Sequence, residues 1–426
     1  MAKPRLRLAR RDQVTLRCAS LDQLLPPDHL ARTVWAFALG LDLTPLYAAI
    51  KAVEGHVGNT PIDPRILFAL WLYATLDGVG SARELDRLTH AHLAYQWLCG
   101  DVSVNHHTLA DFRVAHRDWL DGQLTDTVAV LLHQDLVTLQ RVAQDGMKVR
   151  ASAGADTFRR QPTLERYRHE AEEQVTTLSK QLGDGDTAVS QRQQAARGRA
   201  ARERTERLRS ALDQLPALRA SREAFRKGTG DQARASTTDP EARNMKMPDG
   251  GYRPAYNVQF ATDVKSGIIV DATVVNRGTD NGLMGGCVDR IAERYGQAPQ
   301  AMLVDAGFGS LDDIDRVATE HGTMTYMPVK NEKKLKEKGE NPYAPRKGDT
   351  AAVQDWRQRM GTEAGQEVYQ QRGSSAEWVN AGCRNRGLYQ VGVRSVDKVT
   401  CCALWQALAH NLVTSVRHAA LTATAG

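Results

Sequence analysis

The sequence predicts a mixed α+β protein, in which a helical N-terminal domain precedes a mixed sheet that is flanked by helices. Residues 1–125 carry helix start signals and apolar residues at helical spacing. From residue 126 onward, short β-rich segments alternate with helical ones, an order that favours a sheet covered by helices. After the first β-rich segment, residues 161–244 are charged and helical in pattern, which predicts an insertion into the sheet domain.

The N-terminal segment shows three short helices. Asp63 followed by Pro64 is a helix start, with a capping residue before proline at the first helical position. The apolar run from Ile66 to Leu72 then predicts a buried helix, and Ser81-Ala-Arg-Glu84 has the pattern of a capping box. Another helix is predicted from Thr108 to Arg117. This pattern fits a helix-turn-helix-like DNA-binding unit, and it also fits any small helical bundle.

Residues 126–160 contain the first predicted strand of the sheet. Val142, Met147 and Val149 surround Asp145, so the segment has the character of a strand. The dipeptide Asp145-Gly146 is also a hairpin turn signal, and taken alone it favours the turn.

The insertion, residues 161–244, predicts two long helices joined by the break at Gly183-Asp-Gly-Asp. From Arg192 to Lys227 there are eleven Lys or Arg residues against four Asp or Glu. A second basic cluster, from Lys330 to Lys347, has seven against three. Each cluster is as consistent with a solvated surface as with a phosphate-binding one.

Residues 245–426 complete the sheet domain. Strands are predicted at four places and helices at three, with Ser310 as the cap of the middle helix. The strands span residues 256–261, 267–275, 301–305 and 323–329; the helices span residues 281–295, 310 onward and 349–418.

Composition favours an anionic partner and a reducing compartment. The net charge is +6 and the isoelectric point is near 9.0. Six cysteines show no C-x-x-C pairing, which argues against a zinc site and a disulfide framework. No apolar run is long enough for a membrane span and no secretory signal is recognisable, so we expect a cytoplasmic protein with no membrane partner.

Three acidic residues are candidates for metal-dependent chemistry. Asp145 lies between apolar neighbours, and Asp305 ends the apolar strand Ala301-Met-Leu-Val and precedes a glycine-rich turn. Glu377 lies on a later helical segment. Phosphodiester chemistry needs carboxylates that converge on divalent ions from separate elements. Each aspartate taken alone has a structural explanation more often than a functional one.

The segment around Glu377 strengthens the case. At 100° per residue, Arg384 lies about 20° from Glu377 on a helix, Tyr369 about 80° and Arg372 about 140°. Gly373, Ser374 and Ser375 are poor helix formers within this segment, so helix stability does not explain their presence. Trp378 is a candidate for stacking on a displaced base or for the core.

At these residues the chain resembles the DDE transposases of bacterial insertion sequences, in the branch with a Tyr-Arg-Glu-Lys signature. The resemblance covers nearly the whole chain. Asp145-Gly-Met-Lys-Val-Arg-Ala and Leu303-Val-Asp305-Ala-Gly-Phe are similar to the two aspartate strands of the family. Tyr369, Arg372 and Glu377 match the signature, and His410-Asn-Leu resembles its closing segment. Asp63 to Arg113 is similar to the family's N-terminal domain, and Arg384 replaces the signature lysine, keeping the charge.

The resemblance implies a ribonuclease-H-like catalytic domain in which Asp145, Asp305 and Glu377 are the catalytic and metal-binding residues. It implies two Mg²⁺ ions, with Mn²⁺ as a substitute, and DNA contacts from Tyr369, Arg372 and Arg384. The expected partners are double-stranded DNA, at the element ends and at the target, and a second copy of the chain in a DNA-bound homodimer at the nucleoid. Two rivals are a non-catalytic repressor derived from a transposase and a nuclease of the same fold that does not join strands.

Overall fold

The N-terminal region consists of helices and the loops that join them. The computed structural model describes residues 18–52, 60–180 and 188–425 of the chain. Within the described ranges, eight helices precede the first strand: α1 (Leu21–Leu24), α2 (Leu30–Leu39), α3 (Thr44–Ala48), α4 (Pro64–Leu76), α5 (Ala82–Ala91), α6 (Leu93–Cys99), α7 (His106–Ala115) and α8 (Arg117–His133). Helix α4 is buried on all sides, because its apolar run has no polar face to present to solvent.

Two predicted caps of this region are present in the structure. The Asp63 carboxylate accepts a hydrogen bond from the Arg65 backbone N–H at 2.8 Å and so starts α4. The Ser81 hydroxyl accepts from the Glu84 backbone at 3.4 Å. The reciprocal half of the capping box is missing, because the Glu84 carboxylate pairs with Arg87 at 2.6 Å.

The remaining elements alternate strands and helices around the insertion. The strands are β1 (Arg141–Arg150), β2 (Phe158–Arg159), β3 (Ala235–Ser236), β4 (Arg243–Lys246), β5 (Tyr252–Asp263), β6 (Ile269–Val275), β7 (Ala301–Leu303) and β8 (Met324–Tyr326). The helices are α9 (Gln161–Lys180), α10 (Ala188–Phe225), α11 (Met284–Tyr295), α12 (Leu311–His321), α13 (Glu332–Glu337), α14 (Ala351–Met360), α15 (Glu363–Arg372), α16 (Trp378–Asn385) and α17 (Val396–Ala425).

The main sheet is mixed, with strand order β4-β5-β1-β7-β8. Strand β6 also pairs with β5, on the edge opposite β1, along the part of β5 that follows its pairing with β4. Strand β1 is antiparallel to β5 and parallel to β7, and β7 is parallel to β8. The α+β prediction is therefore confirmed, with the layout expected of a ribonuclease-H-like domain. The hairpin-turn reading of Asp145-Gly146 is wrong, because Asp145 pairs with Phe260 in the middle of β1.

The insertion is a pair of helices with a core of its own. The Glu172 carboxylate pairs with Arg209 at 3.2 Å and Gln174 bonds Arg204 at 3.5 Å, so α9 and α10 run antiparallel. Leu164, Ala171, Leu208, Ala211 and Leu215 are buried between them. The short pair β2–β3 closes the base. The chain rejoins the main sheet at β4. The predicted break at Gly183–Asp186 lies outside the described residues.

The C-terminal helix α17 is fastened to the sheet by two polar side chains. The Asn411 amide bonds both the N–H and the C=O of Ile269 at 2.8 Å, in place of a neighbouring strand. His410 Nε2 donates to the Gly267 carbonyl at 2.8 Å, which fixes the tautomer, and Nδ1 accepts from Arg386 at 3.4 Å. The His410-Asn411 pair thus has a structural role in this fold.

Acid is expected to weaken this attachment. Burial lowers the pKa of His410 to about 4, because a proton on Nδ1 would be buried against Arg386. The unfolded chain binds that proton near pH 6.5, so the free energy of unfolding is intact above this value and falls as the pH drops toward 4. The loss is on the order of 3 kcal/mol. Urea denaturation of wild type and His410→Gln between pH 7.5 and 4.5 should show a smaller pH slope in the variant; equal slopes would contradict the assignment.

Among the described residues, none of the helices is both long enough and apolar enough to cross a bilayer. The six cysteines are unpaired thiols, and all except Cys18 are buried.

Candidate active site

Strand pairing brings the two candidate aspartates together. Ala143 of β1 lies beside Leu303 of β7 in parallel register. Asp145 lies two residues after Ala143 in β1, and Asp305 lies two residues after Leu303, just beyond β7. Both carboxylates therefore lie at the same level of the sheet. Asp305 caps a short 3₁₀ turn, where its Oδ1 accepts from the Gly307 N–H at 2.7 Å. The sheet thus holds one carboxylate within a strand and the other at the end of a neighbouring strand.

Gly146 follows Asp145 because no side chain fits there. A Cβ at this position would overlap the Asp280 carboxylate and the Gln259 amide. Asp280 is held in place by Asn257 and Gln259, each at 2.6 Å, and by Lys148 at 3.3 Å. The Asp-Gly dipeptide therefore reflects a close approach of the β6–α11 loop to the strand rather than a turn.

A π-helical turn, Gly373–Glu377, connects α15 to α16. It places residues five apart on one side, whereas α-helical spacing would put Arg372 and Glu377 about 140° apart. Arg372 Nη1 consequently donates to Glu377 Oε1 at 3.1 Å. The hydroxyls of Ser374 and Ser375 each donate to the Gln371 carbonyl at 3.0 Å, satisfying a backbone group at the turn. The poor helix formers of this segment are the residues that build the π turn.

The Arg372 guanidinium lies between the three carboxylates. Its Nη2 is 2.9 Å from Asp145 Oδ1 and 3.8 Å from Asp305 Oδ2, while Nη1 reaches Glu377. The Arg372 side chain is 9% exposed, whereas those of Asp305 and Glu377 are 42% and 64% exposed. The site is therefore open on the side of two of its acids and closed beneath by the arginine and Asp145.

Burial dominates the electrostatics of this site. It raises the pKa of Asp145 above the ordinary carboxyl value, and the charge of Asp305 adds to the rise while Arg372 opposes it. Burial alone would lower the pKa of Arg372, but the neighbouring acids outweigh it and the pKa is raised. A position that stabilises a buried guanidinium among three acids is one that favours positive charge.

Of the other predicted residues, Tyr369 lies beside this centre and Arg384 lies on α16. Tyr369 is half-buried one turn before Arg372. Burial raises the pKa of its phenol, Arg372 opposes the rise, and the charges of Asp305 and Glu377 add to it. Arg384 is exposed on α16, and its side chain forms no hydrogen bond or ion pair with any described residue. Trp378 is 46% exposed, with its ring set edge-on against His410 at 5.3 Å between centroids, so it is not a core residue.

Two family models match the chain. The model described as Transposase domain (DUF772) matches residues 19–115, and the model described as Transposase DDE domain matches residues 227–412. The chain belongs to the DDE transposases of insertion sequences. No curated protein and no solved structure matches it significantly.

Membership identifies a transposase, a class of enzyme that binds DNA and uses divalent metal ions. The DDE match includes Asp305, Tyr369, Arg372, Glu377 and Arg384. Asp145 falls in the interval between the two matches, so its place in the site depends on the strand register and on its contact with Arg372.

The donor set of the candidate site suits a hard divalent ion. Mg²⁺ prefers carboxylate oxygens and water, and the three acids offer six such oxygens around a position already favourable to a cation. A tighter group, Asp289, Glu320 and His321, has possible ligand atoms within 4.8 Å of one another elsewhere among the described residues. Arg316 pairs with Asp289 at 3.0 Å and with Glu320 at 3.1 Å. This group is therefore an ion-pair network between α11 and α12.

Sequence reasoning missed one residue of the site. Asn380 is buried and its Nδ2 donates to Asp145 Oδ2 at 2.9 Å. The available signal was a polar residue one turn after Glu377, between Val379 and Cys383 on the buried face of α16.

Proposed function

We propose that this transposase cleaves DNA strands at the terminal inverted repeats of an insertion sequence and transfers the ends to a target. The observation that supports this is the convergence of Asp145, Asp305 and Glu377 on the Arg372 guanidinium. Two Mg²⁺ ions held by these acids, or Mn²⁺ in their place, would supply the charge that activates the attacking oxygen and stabilises the leaving one. The proposed setting is a DNA-bound homodimer at the bacterial nucleoid.

The roles of the surrounding side chains follow from their exposure. Asp145 and Asp305 are fixed by the sheet and orient the metal site, while the exposed Glu377 completes it from the helical side. Tyr369, Arg372 and Arg384 are proposed to contact the DNA backbone near the scissile phosphate. Arg372 is the innermost of the three, and Arg384 is free to reach outward for a phosphate.

A strand-transfer assay tests this proposal. Purified protein is incubated with Mg²⁺, a duplex carrying the element end and a supercoiled target plasmid. Joined products are expected. Relaxation of the plasmid without joining would instead assign a nuclease, and binding without cleavage would assign a repressor.

Arg384→Ala is expected to weaken binding to cleavage-site DNA several-fold and to leave thermal stability unchanged, because the Arg384 side chain has no partner among the described residues. A phosphate contact releases counterions, so the slope of log affinity against log salt should fall by about one. Fluorescence anisotropy at several salt concentrations measures both quantities. Arg384→Lys is the matched control and should retain part of the activity. A lower melting temperature with an unaltered salt slope would make the arginine structural.

The helical pair of the insertion is proposed to act as a DNA-holding arm. At its base Arg222, Phe225, Arg226 and Lys227 form a groove with residues of the main domain. The nearby acid Glu223 is occupied by the backbone N–H groups of Gly228 and Gly230, and Arg226 and Lys227 have no ion pair among the described residues. Three cations therefore outnumber one acid at the groove, and this net positive charge suits a phosphate backbone.

Replacing residues 161–233 with a short Gly/Ser linker is expected to leave a folded, metal-binding protein with weaker DNA affinity. Residue Arg159 pairs with Ala235 at the base of the arm, so a short linker can bridge the ends. The double variant Arg226→Ala/Lys227→Ala should lower the salt slope by about two without affecting folding. Insoluble protein after deletion, or unchanged DNA affinity in both variants, would contradict the arm assignment.

A further inference from the structure

Asn380 holds one oxygen of Asp145 from the helical side of the site. It lies on α16, three residues after Glu377, and it is 3% exposed. Its Nδ2 donates to Asp145 Oδ2 at 2.9 Å. The other carboxylate oxygen, Oδ1, accepts from Arg372 at 2.9 Å and from the Gly146 N–H at 3.0 Å. Both oxygens of Asp145 therefore have fixed donors on opposite sides, and the carboxylate plane is determined.

The orientation of the Asn380 amide follows from its partner. A carboxylate only accepts hydrogen bonds, so the amide nitrogen faces Asp145 and the oxygen faces away. That oxygen is buried without a hydrogen-bond partner among the described residues. A buried acceptor left unpaired is unfavourable, so folding stability alone does not explain an asparagine at this position.

The neighbours of Asn380 show what a purely structural residue would be. Val379 and Cys383 are fully buried on the same helix, where they contribute to the main core. Leucine has nearly the same shape as asparagine and would fill the space without burying an unpaired polar atom. The amide is therefore best explained by the hydrogen bond that it gives to Asp145.

We propose that Asn380 is a positioning residue, which orients Asp145 for metal binding and links the π turn bearing Glu377 to strand β1. The inference rests on the proposed function, in which Asp145 is a metal ligand. Hydrogen-bond partners of metal-ligating side chains fix the direction of the ligand, and their loss typically costs about 10- to 100-fold in metal affinity or activity. Together with Arg372, Asn380 couples the two halves of the site, because it contacts Asp145 across 235 residues of sequence.

The test compares Asn380→Leu, which keeps the size and removes the donor, with Asn380→Gln, which keeps the donor. Cys383→Ala is the matched control for a buried change on the same helix. Mn²⁺ binding to the DNA-free protein is measured by electron paramagnetic resonance, alongside melting temperature and the cleavage rate at saturating metal. Asn380→Leu should lose about 10- to 100-fold in Mn²⁺ affinity and in cleavage rate. Asn380→Gln should keep more of both, and the melting temperature of Asn380→Leu should stay near that of Cys383→Ala.

Two results would overturn the proposal. One is an Asn380→Leu variant with Mn²⁺ affinity within twofold of wild type. The other is an equal loss of affinity in Cys383→Ala, which would assign the effect to helix stability. Asp145→Asn, measured in parallel, separates this inference from the proposed function. If Asp145→Asn retains Mn²⁺ binding and cleavage, the proposed function fails; if it loses both while Asn380→Leu does not, only the role of Asn380 fails.

Discussion

Asp145→Asn, Asp305→Asn and Glu377→Gln are each expected to reduce strand cleavage by about a thousandfold or more, because metal ions contribute several kcal/mol to such reactions and each 1.36 kcal/mol is tenfold in rate. Each change removes a negative charge and leaves the shape of the side chain nearly intact. DNA affinity should change little, because the basic surfaces of the arm and of α16 are untouched. Cleavage of end-bearing duplex with Mg²⁺ and a gel-shift assay measure the two properties.

The second acidic group supplies a matched control. Asp289→Asn and Glu320→Gln make the same acid-to-amide changes in the ion-pair network around Arg316. They are expected to retain cleavage, with at most a small loss of stability. Cleavage above a few per cent of wild type in any of the three site variants, or its loss in Asp289→Asn, would place the metal site elsewhere.

The fold was predictable from sequence where local chemistry determines local structure. Caps such as Asp63 and Ser310 begin helices where predicted, because a side-chain oxygen before an apolar helical run satisfies free backbone N–H groups. The strand around Asp145 was predictable from its apolar flanks but not from its dipeptide. Pairing with β5 decides between strand and turn, and the glycine is explained by Asp280, which fills the space beside Gly146.

The arrangement of the site was less predictable, because it depends on an irregular turn and on distant contacts. Helical spacing placed Arg372 away from Glu377, and the π turn brings them within 3.1 Å. The glycine and serines in that segment signalled an irregularity, but their sequence does not specify its geometry. Likewise, no periodicity connects Asn380 to Asp145, since they lie on different elements and meet only when the sheet and α16 pack together.

Arg372→Gln is expected to destabilise the metal-free protein by roughly 2 kcal/mol, and divalent metal is expected to restore the loss. Removing one partner from a fully buried ion pair costs about 3–5 kcal/mol, and the exposure of Glu377 and Asp305 reduces that figure here. Without the guanidinium, Asp145 and its two neighbours repel one another in a partly buried space. A divalent ion replaces the missing charge and stabilises the folded state in proportion to its binding.

Arg357 provides the comparison that makes this test specific. It forms a buried ion pair with Asp349 at 2.7 Å, and both side chains are 5% exposed. Arg357→Gln should therefore destabilise the protein at least as much, but Mg²⁺ should not restore it, because that pair lies apart from the three acids. Urea denaturation with and without Mg²⁺ measures the difference, and about 10 mM Mg²⁺ is enough to fill a weak site. Equal metal responses in the two variants would mean that the three carboxylates do not bind the ion.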